Sequence, residues 1–374
     1  MANENSLTKI SPNILKDGYN VGMDLNEENR SGTLLHVDQN TIYTAINEYF
    51  KGKIEIMDTK KALEKYSWLQ EYMWRLVDPN KDEFTQKVKE EFSGGYFIRI
   101  LPGVEVTLPL QSCIMITKKD SEQRIHNIII AEEGSKANII TGCIQHLADE
   151  AARHLGVSEI YVKKGATLNL TMIHNWTEKT FVRPRSATEI EDGGKFISNY
   201  ICLNPVNDVQ MYPVAFCNGN NSRVSFNSVL YGHKNSSLDI GSRAVLNGKG
   251  SKAELVTRAI VRRGATIFSR GKMEGNNSEC KGHLECRGLV LDEESYLEAI
   301  PELLVKKGGA ELTHEAAIGK ISEKEIVYLM TRRLSRDEAI SLTIRGFMNV
   351  DVMGLPDVIS TKINKITELV AEAS

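Results

Sequence analysis

The chain has 374 residues, 41% of them apolar and 25% charged, an ordinary globular composition with room for a large core and two or three substructures. Its 46 basic and 49 acidic residues leave a net charge of −3, which argues against a general nucleic-acid binder. No apolar stretch approaches a membrane span, and the opening MANENSLTKISPNILKDGYN lacks the apolar run of a secretory signal, so a cytoplasmic location is expected.

The first forty residues show little periodicity and are expected to be partly extended. Residues 40–92 read as helical: in TKKALEKYSWLQEYMWRLVDPNKDEFTQKVKEEF, Ala62, Leu63, Tyr66, Leu69, Tyr72 and Met73 recur at three- and four-residue steps. Asp78-Pro79-Asn80 interrupts the pattern, and Asp82 is placed to cap a following helix. The expected N-terminal helical region is 1–92.

From GGYFIRILPGVEVTL onward, short β-branched runs alternate with Gly, Asn and Ser. Similar segments start at 134 (GSKANI), 165 (GATLNL), 193 (GGKFIS), 221 (NSRVSF), 235 (NSSLDI), 250 (GSKAEL), 264 (GATIFS), 277 (NSECKG), 294 (ESYLEA) and 309 (GAELTH). Successive starts differ by 31, 28, 28, 14, 15, 14, 13, 17 and 15 residues. A turn-plus-strand unit of roughly 14–15 residues, two units to a coil, accounts for these steps and predicts a β-solenoid, whose stacked coils build a core that one coil cannot. An antiparallel sandwich also has frequent turns, but recurrence of one turn composition in register favours the solenoid. Gly and Asn suit the turns because they tolerate positive φ. The core is expected over 93–320.

Beyond it, SEKE (322–325) and SRDE (335–338) have the form of capping boxes. They open the apolar-periodic runs IVYLMTRRL and AISLTIRGF, and LPDVISTKINKITELVAEA reads as a last amphipathic helix with Pro356 near its start. A C-terminal helical domain is expected over 321–374.

LTMIHNWTE (170–178), ECRGLVLDEESYLEAIPEL (285–303) and AELTHEAAIGKISEKEIVYLMTRRLSRDEAISLTIRGF (310–347) resemble the SufB/SufD scaffolds of iron–sulfur cluster assembly. The likeness spans roughly 95–350 and is densest over 280–350. A short N-terminal part makes it most similar to compact SufB-like scaffolds of archaeal-type systems with one scaffold and one ATPase. The resemblance implies a right-handed parallel β-helix between helical regions, paired end to end with a second copy or a paralogue. It also implies a SufC-type ABC ATPase held on the C-terminal helices in a two-plus-two complex, and apo-protein recipients of the cluster. ATP chemistry would belong to that partner, and this chain has no G-x-x-x-x-G-K-[ST] motif of its own. The cargo would be a [4Fe-4S] or [2Fe-2S] cluster.

The six cysteines, Cys113, Cys143, Cys202, Cys217, Cys280 and Cys286, are scattered and read as reduced thiols rather than a disulfide framework. Iron–sulfur clusters favour thiolates, with imidazole or carboxylate completing labile sites. Cys280 and Cys286 follow no ferredoxin spacing, and a cysteine is often only a small buried hydrophobe. Cys286 and Glu315 are 29 residues apart, as are Glu285 and His314, about one coil, so each pair is expected to stack on adjacent coils. Because neighbouring strand residues face opposite sides, His314 and Glu315 would not both face one ion in a regular strand. The family's functional cysteine falls on Cys286 and its His-Glu pair on His314 and Glu315, which makes these three the implied metal ligands. HEAAI is not a zinc-protease motif, since Ile318 stands where a second histidine would.

His283, Glu285, Cys280 and Cys217 are secondary candidates. Cys217 enters because RPRSATEIEDGGKF (183–196) lacks the upstream cysteine that many SufB chains carry. Cys113, Cys143 and Cys202 read as core thiols. His174 and Trp176 of IHNW suit support of a coil or sulfur transfer, and RRGATIFSRGK (262–272) suits a solvated face or an anion guide. Two further readings stand beside the scaffold: a SufD-like structural partner without a cluster, and a carbohydrate-binding solenoid, which 7% aromatic residues without a repeating row do not favour.

Overall fold

A computed structural model of the chain describes residues 10–146, 150–348 and 361. The expected amphipathic helix over LPDVISTKINKITELVAEA lies outside the described residues apart from residue 361.

The chain begins with helix α1 (Pro12–Tyr19), then the strands β1 (Gly32–Val37), β2 (Asn40–Ile46) and β3 (Ile54–Asp58). Helices α2 (Thr59–Lys65) and α3 (Glu83–Glu90) follow. The helical pattern read over 40–92 therefore holds for α2 and α3 but not for 40–58, where alternating burial along IEIMD is a strand signature that the longer helical run obscured. Asp82 caps α3 as expected, accepting from the Phe84 and Thr85 amides at 3.1 and 2.9 Å.

The remaining strands run β4 (Tyr96–Ile100), β5 (Leu110–Ile116), β6 (Ser121–Ala131), β7 (Lys136–Gln145), β8 (Ala152–Val162), β9 (Thr167–Asn175), β10 (Thr180–Ile190) and β11 (Lys195–Cys202). Then come β12 (Asp208–Met211), β13 (Val214–Cys217), β14 (Arg223–Gly232), β15 (Ser237–Leu246) and β16 (Lys252–Val261). The last are β17 (Thr266–Gly275), β18 (Lys281–Val290), β19 (Tyr296–Val305) and β20 (Glu311–Gly319), ahead of α4 (Glu323–Thr331) and α5 (Arg336–Met348).

These strands form two long sheets. One stacks β1, β5, β7, β9, β11, β14, β16, β18 and β20 in parallel, with β2 antiparallel on β1. The other runs from β4 through β6, β8, β10, β12 with β13, β15 and β17 to β19, with β3 antiparallel on β4. The chain alternates between them, which makes a parallel β-solenoid of about 8 turns; strand accounts for 50% of the chain, so the mainly β expectation is met.

Each face of a strand has a separate task. Inward residues repeat from coil to coil, as in the row Leu168, Phe196, Val224 and Ala253. On the outer face of the first sheet an apolar band that includes Ile173, Ile201 and Val229 joins the cluster holding Ile326, Ala339, Ile340, Ile344 and Met348 of α4 and α5. The C-terminal helices are thus anchored by burial on the solenoid wall. SRDE forms its capping box, Ser335 Oγ accepting from the Glu338 amide at 3.3 Å and Glu338 Oε2 from the Ser335 amide at 2.7 Å. Ser322 makes no such side-chain bond. One turn carries an asparagine ladder, Asn276 donating to Asn247 and Asn247 to Asn218, each at 2.7 Å.

The segment between α2 and α3 is clamped by one buried carboxylate. Glu159 on β8 accepts from the amides of Trp74 (2.5 Å), Leu76 (2.6 Å) and Val77 (3.2 Å), and lies 2.8 Å from His126 Nε2. Trp74 sits at φ 62, a conformation costly for a bulky residue, and this clamp holds it there. Glu159→Ala is expected to cost about 3–5 kcal/mol, because it strands those donors and the imidazole in a dry site. Amide hydrogen exchange should then rise at Trp74, Leu76 and Val77 while β6 stays protected. Unchanged exchange at those amides would refute the clamp.

Candidate metal centre

Strands β19 and β20 are the last rungs of their sheets, each with a neighbour on one side only among the described residues. Tyr296, Leu303, Leu304, Val305 and Ile318 are all exposed there, and an open, partly apolar strand edge is a surface made for pairing.

Cys286 lies on β18, one rung in from this end. Its side chain faces inward, 4% exposed and part of the main core cluster, and Ser269 Oγ is 3.8 Å from its sulfur. It continues an inward row of Tyr200, Ser228 and Thr257. Burial raises the thiol's pKa, against the pull of Ser269; the neighbouring Glu285 carboxylate raises it further and Arg258 opposes.

The expected stacking of Cys286 on Glu315 is corrected by the register. β20 pairs with β18 at an offset of 30 residues, so that Leu284 faces His314, Glu285 faces Glu315 and Cys286 faces Ala316. The preceding rung, β16 on β18, has an offset of 29. The physical reason is one extra residue in a turn. Residues 291–295 join β18 to β19, whereas four residues, 262–265, join β16 to β17. Asp292 and Ser295 brace the longer turn by accepting from the Arg263 and Gly264 amides below them.

The shift sorts the candidates by face. His314 looks inward, on the rung beside Cys286 and two residues along the strand. It ends an inward row that reads Phe226, Leu255 and Leu284 on the three preceding coils. An imidazole replacing leucine where the wall opens to water suits a donor role. Glu315 looks outward with Glu285. Arg287 lies 2.5 Å from Glu285 and 3.1 Å from Glu315, and Arg258 lies 2.7 Å from Glu285. His283 is on this same outer face, its Nδ1 2.8 Å from Thr313 Oγ1.

The other candidates lie elsewhere. Cys280 is fully buried in the turn before β18, and Cys217 on β13 is fully buried three rungs from the edge strand β19. Burial pushes the Cys217 thiol up to about 12. Cys113, Cys143 and Cys202 are buried, as expected of core thiols. His174 is buried with its Nδ1 2.9 Å from Tyr200 Oη, packs against Trp176, and is pushed down to about 3 by desolvation, which fits support of a coil. The basic run 262–272 is partly neutralised, Arg270 by Asp239 and Lys272 by Glu302.

Among the described residues no group of three or more His, Cys, Asp or Glu side chains is arranged to hold a metal ion. One copy of the chain offers an inward thiol and imidazole and an outward carboxylate pair at an open end. Sequence reasoning missed Arg258, Arg287 and Ser269. Only Arg287, adjacent to Cys286 in ECRG, left a signal there.

The family model described as "SUF system FeS cluster assembly, SufBD core domain" matches residues 114–347. An iron-sulfur cluster assembly SufBD family protein of Archaeoglobus fulgidus is 48% identical over 349 residues, covering 93% of each chain. A relative of that same description from Methanothermobacter thermautotrophicus (strain Winter) is 45% identical over 365 residues, 96% of this chain and 87% of that one. The iron-sulfur cluster assembly protein SufB of Bacillus subtilis is 26% identical over 349 residues, 92% of this chain and 75% of that one.

Because its pKa is raised, Cys286 is a neutral thiol at pH 7. Its alkylation by iodoacetamide, mapped by mass spectrometry, should be slow there and should keep accelerating as pH rises past about 8.5, the ordinary thiol value. A rate that levels off below pH 8 would show a stabilised thiolate instead.

Proposed function

The chain belongs to the SufBD family of iron–sulfur cluster assembly proteins, and from that premise we propose that it is the scaffold on which the cluster is built. In this reading two copies meet through β19 and β20, in a SufBC-like complex powered by an ABC-type ATPase. The observation that carries it is the open end of the solenoid. There, among the described residues, no strand pairs with the outer edges and apolar residues are exposed, while Cys286 and His314 share the inward face of the last two rungs. A ligand set that is incomplete in one copy becomes sufficient when a second copy supplies the same groups.

Cys286 would supply the thiolate, His314 a nitrogen donor and Glu315 an oxygen donor. Mixed ligation of this kind holds a cluster less firmly than four thiolates, which suits cargo destined for transfer. The high pKa of Cys286 adds a condition: iron binding must displace the thiol proton, so loading should release protons and weaken as pH falls.

The ATPase would dock on α4 and α5. Those helices bury one side on the solenoid yet leave Val327, Tyr328, Met330 and Leu342 exposed. The carbohydrate reading has no comparable support, since the exposed aromatics Tyr19, Tyr49, Tyr296 and Tyr328 lie on separate elements and form no row. No helix of the described residues is long and apolar enough to cross a membrane.

Anaerobic reconstitution of the full chain, co-purified with its ATPase, tests this reading through iron and sulfide content and the visible spectrum. Wild type should hold a cluster. Cys286→Ala should lose most of it while keeping its fold by circular dichroism, and His314→Ala and Glu315→Ala should weaken it. A variant with a normal cluster removes that residue from the ligand set. No cluster in wild type, despite a stable ATPase complex, would favour the SufD-like structural partner.

A further inference from the structure

We infer that β20 has two registers on β18, and that the second, one residue away from the observed one, turns Glu315 onto the face of Cys286. This rests on the proposal that both residues are ligands.

From β6 onward, the turns that lead from the second sheet back to the first come in two lengths. Between the two sheets, residues 132–135, 163–166 and 191–194 are four-residue turns, whereas 218–222, 247–251, 276–280 and 306–310 are five-residue turns. In these three four-residue turns the third position is glycine at positive φ: Gly134 and Gly165 at 67° and Gly193 at 64°. In the five-residue turns 218–222, 247–251 and 306–310 positive φ falls on the fourth position: Asn221 at 55°, Gly250 at 66° and Gly309 at 99°.

Residues 306–309 read Lys-Lys-Gly-Gly, whereas the four-residue turn 163–166 reads Lys-Lys-Gly-Ala. With glycine at both positions, this turn satisfies either geometry, Gly309 serving the long form and Gly308 the short form. The short form starts β20 at Ala310, opposite Lys281. It restores the 29-residue offset of the preceding rung and sets Glu315 opposite Cys286.

Little in β20 resists the change. A one-residue slip exchanges the two faces of a strand, and register is weakly specified where neither face is buried. Here only Leu312 of ELTHEAAIG is better than exposed, and it is only partly buried. Two exposed ion pairs, Lys281 with Glu311 at 2.8 Å and Arg287 with Glu315 at 3.1 Å, and the exposed His283–Thr313 hydrogen bond hold the observed register, and exposed contacts hold weakly. Arg287 is thus a positioning residue that keeps Glu315 outward until the strand shifts. The exchange brings the carboxylate in and carries His314 out.

Thiol trapping in the full chain without iron tests this apart from cluster function. With a mild oxidant, Ala316→Cys should bridge Cys286 in the observed register and Glu315→Cys in the shifted one, the peptides being identified by mass spectrometry. Gly309→Ala places a side chain at φ 99 and 2.8 Å from Ser278 O, so it should raise the Glu315→Cys bridge severalfold and lower the Ala316→Cys bridge. Gly308→Ala, in open space in the long turn, should do the reverse. Bridging by Ala316→Cys alone in every background, bridging by neither, or yields indifferent to the glycines would overturn the inference. Loss of the cluster in Cys286→Ala would still stand in that case, so the two readings fail separately.

Discussion

Everything in this molecule depends on coil stacking. Each rung takes its backbone hydrogen bonds from the rung below and offers its own to the rung above, and the inward side chains of one coil close the core of the next. The arrangement satisfies itself everywhere but at its ends. At the start, β2 and β3 fold back antiparallel over the first rungs. At the other end β20 leads into α4 and α5, which pack on the side wall, and among the described residues no strand pairs with the outer edges of β19 and β20. The open end is therefore where a second copy would add most under the proposed function, and it is where the thiol, imidazole and carboxylates gather.

The same regularity explains why one inserted residue matters. Along most of the solenoid a register error would turn an apolar row outward, and burial forbids it. In the last coil the inward row has already become His314 and Ala316, so the turn 291–295 could lengthen without exposing a core. That lengthening separates Cys286 from Glu315 by a face and leaves the carboxylate with Glu285 and two arginines. The fold thus holds His314 and Glu315 in the strand that burial constrains least, beside the buried Cys286.

Much of this was legible in the sequence. The 14–15-residue recurrence and its Gly/Asn turns led to the solenoid, and the order of residues over 285–347 led to the family. The alternation rule warned that His314 and Glu315 face apart, and so they do. A constant coil length gives the wrong offset for the last rung, although the 17-residue step from 277 to 294 is a trace of the longer turn. The strands at 40–58 were missed because their short alternating runs adjoin a strongly helical pattern. The ion network of Arg258, Glu285, Arg287 and Glu315 was not readable, since it depends on which residues the register brings together.

The central claim is that a cluster sits at this open end with Cys286 thiolate and a lighter donor from β20. Iron K-edge X-ray absorption on the anaerobically reconstituted full chain tests it most directly. The expected first shell has iron–sulfur scattering plus nitrogen or oxygen at about 2.0–2.2 Å, and that lighter contribution should be lost when both His314 and Glu315 are replaced by alanine. A shell of sulfur alone, or a light-atom contribution that survives both replacements, would contradict it.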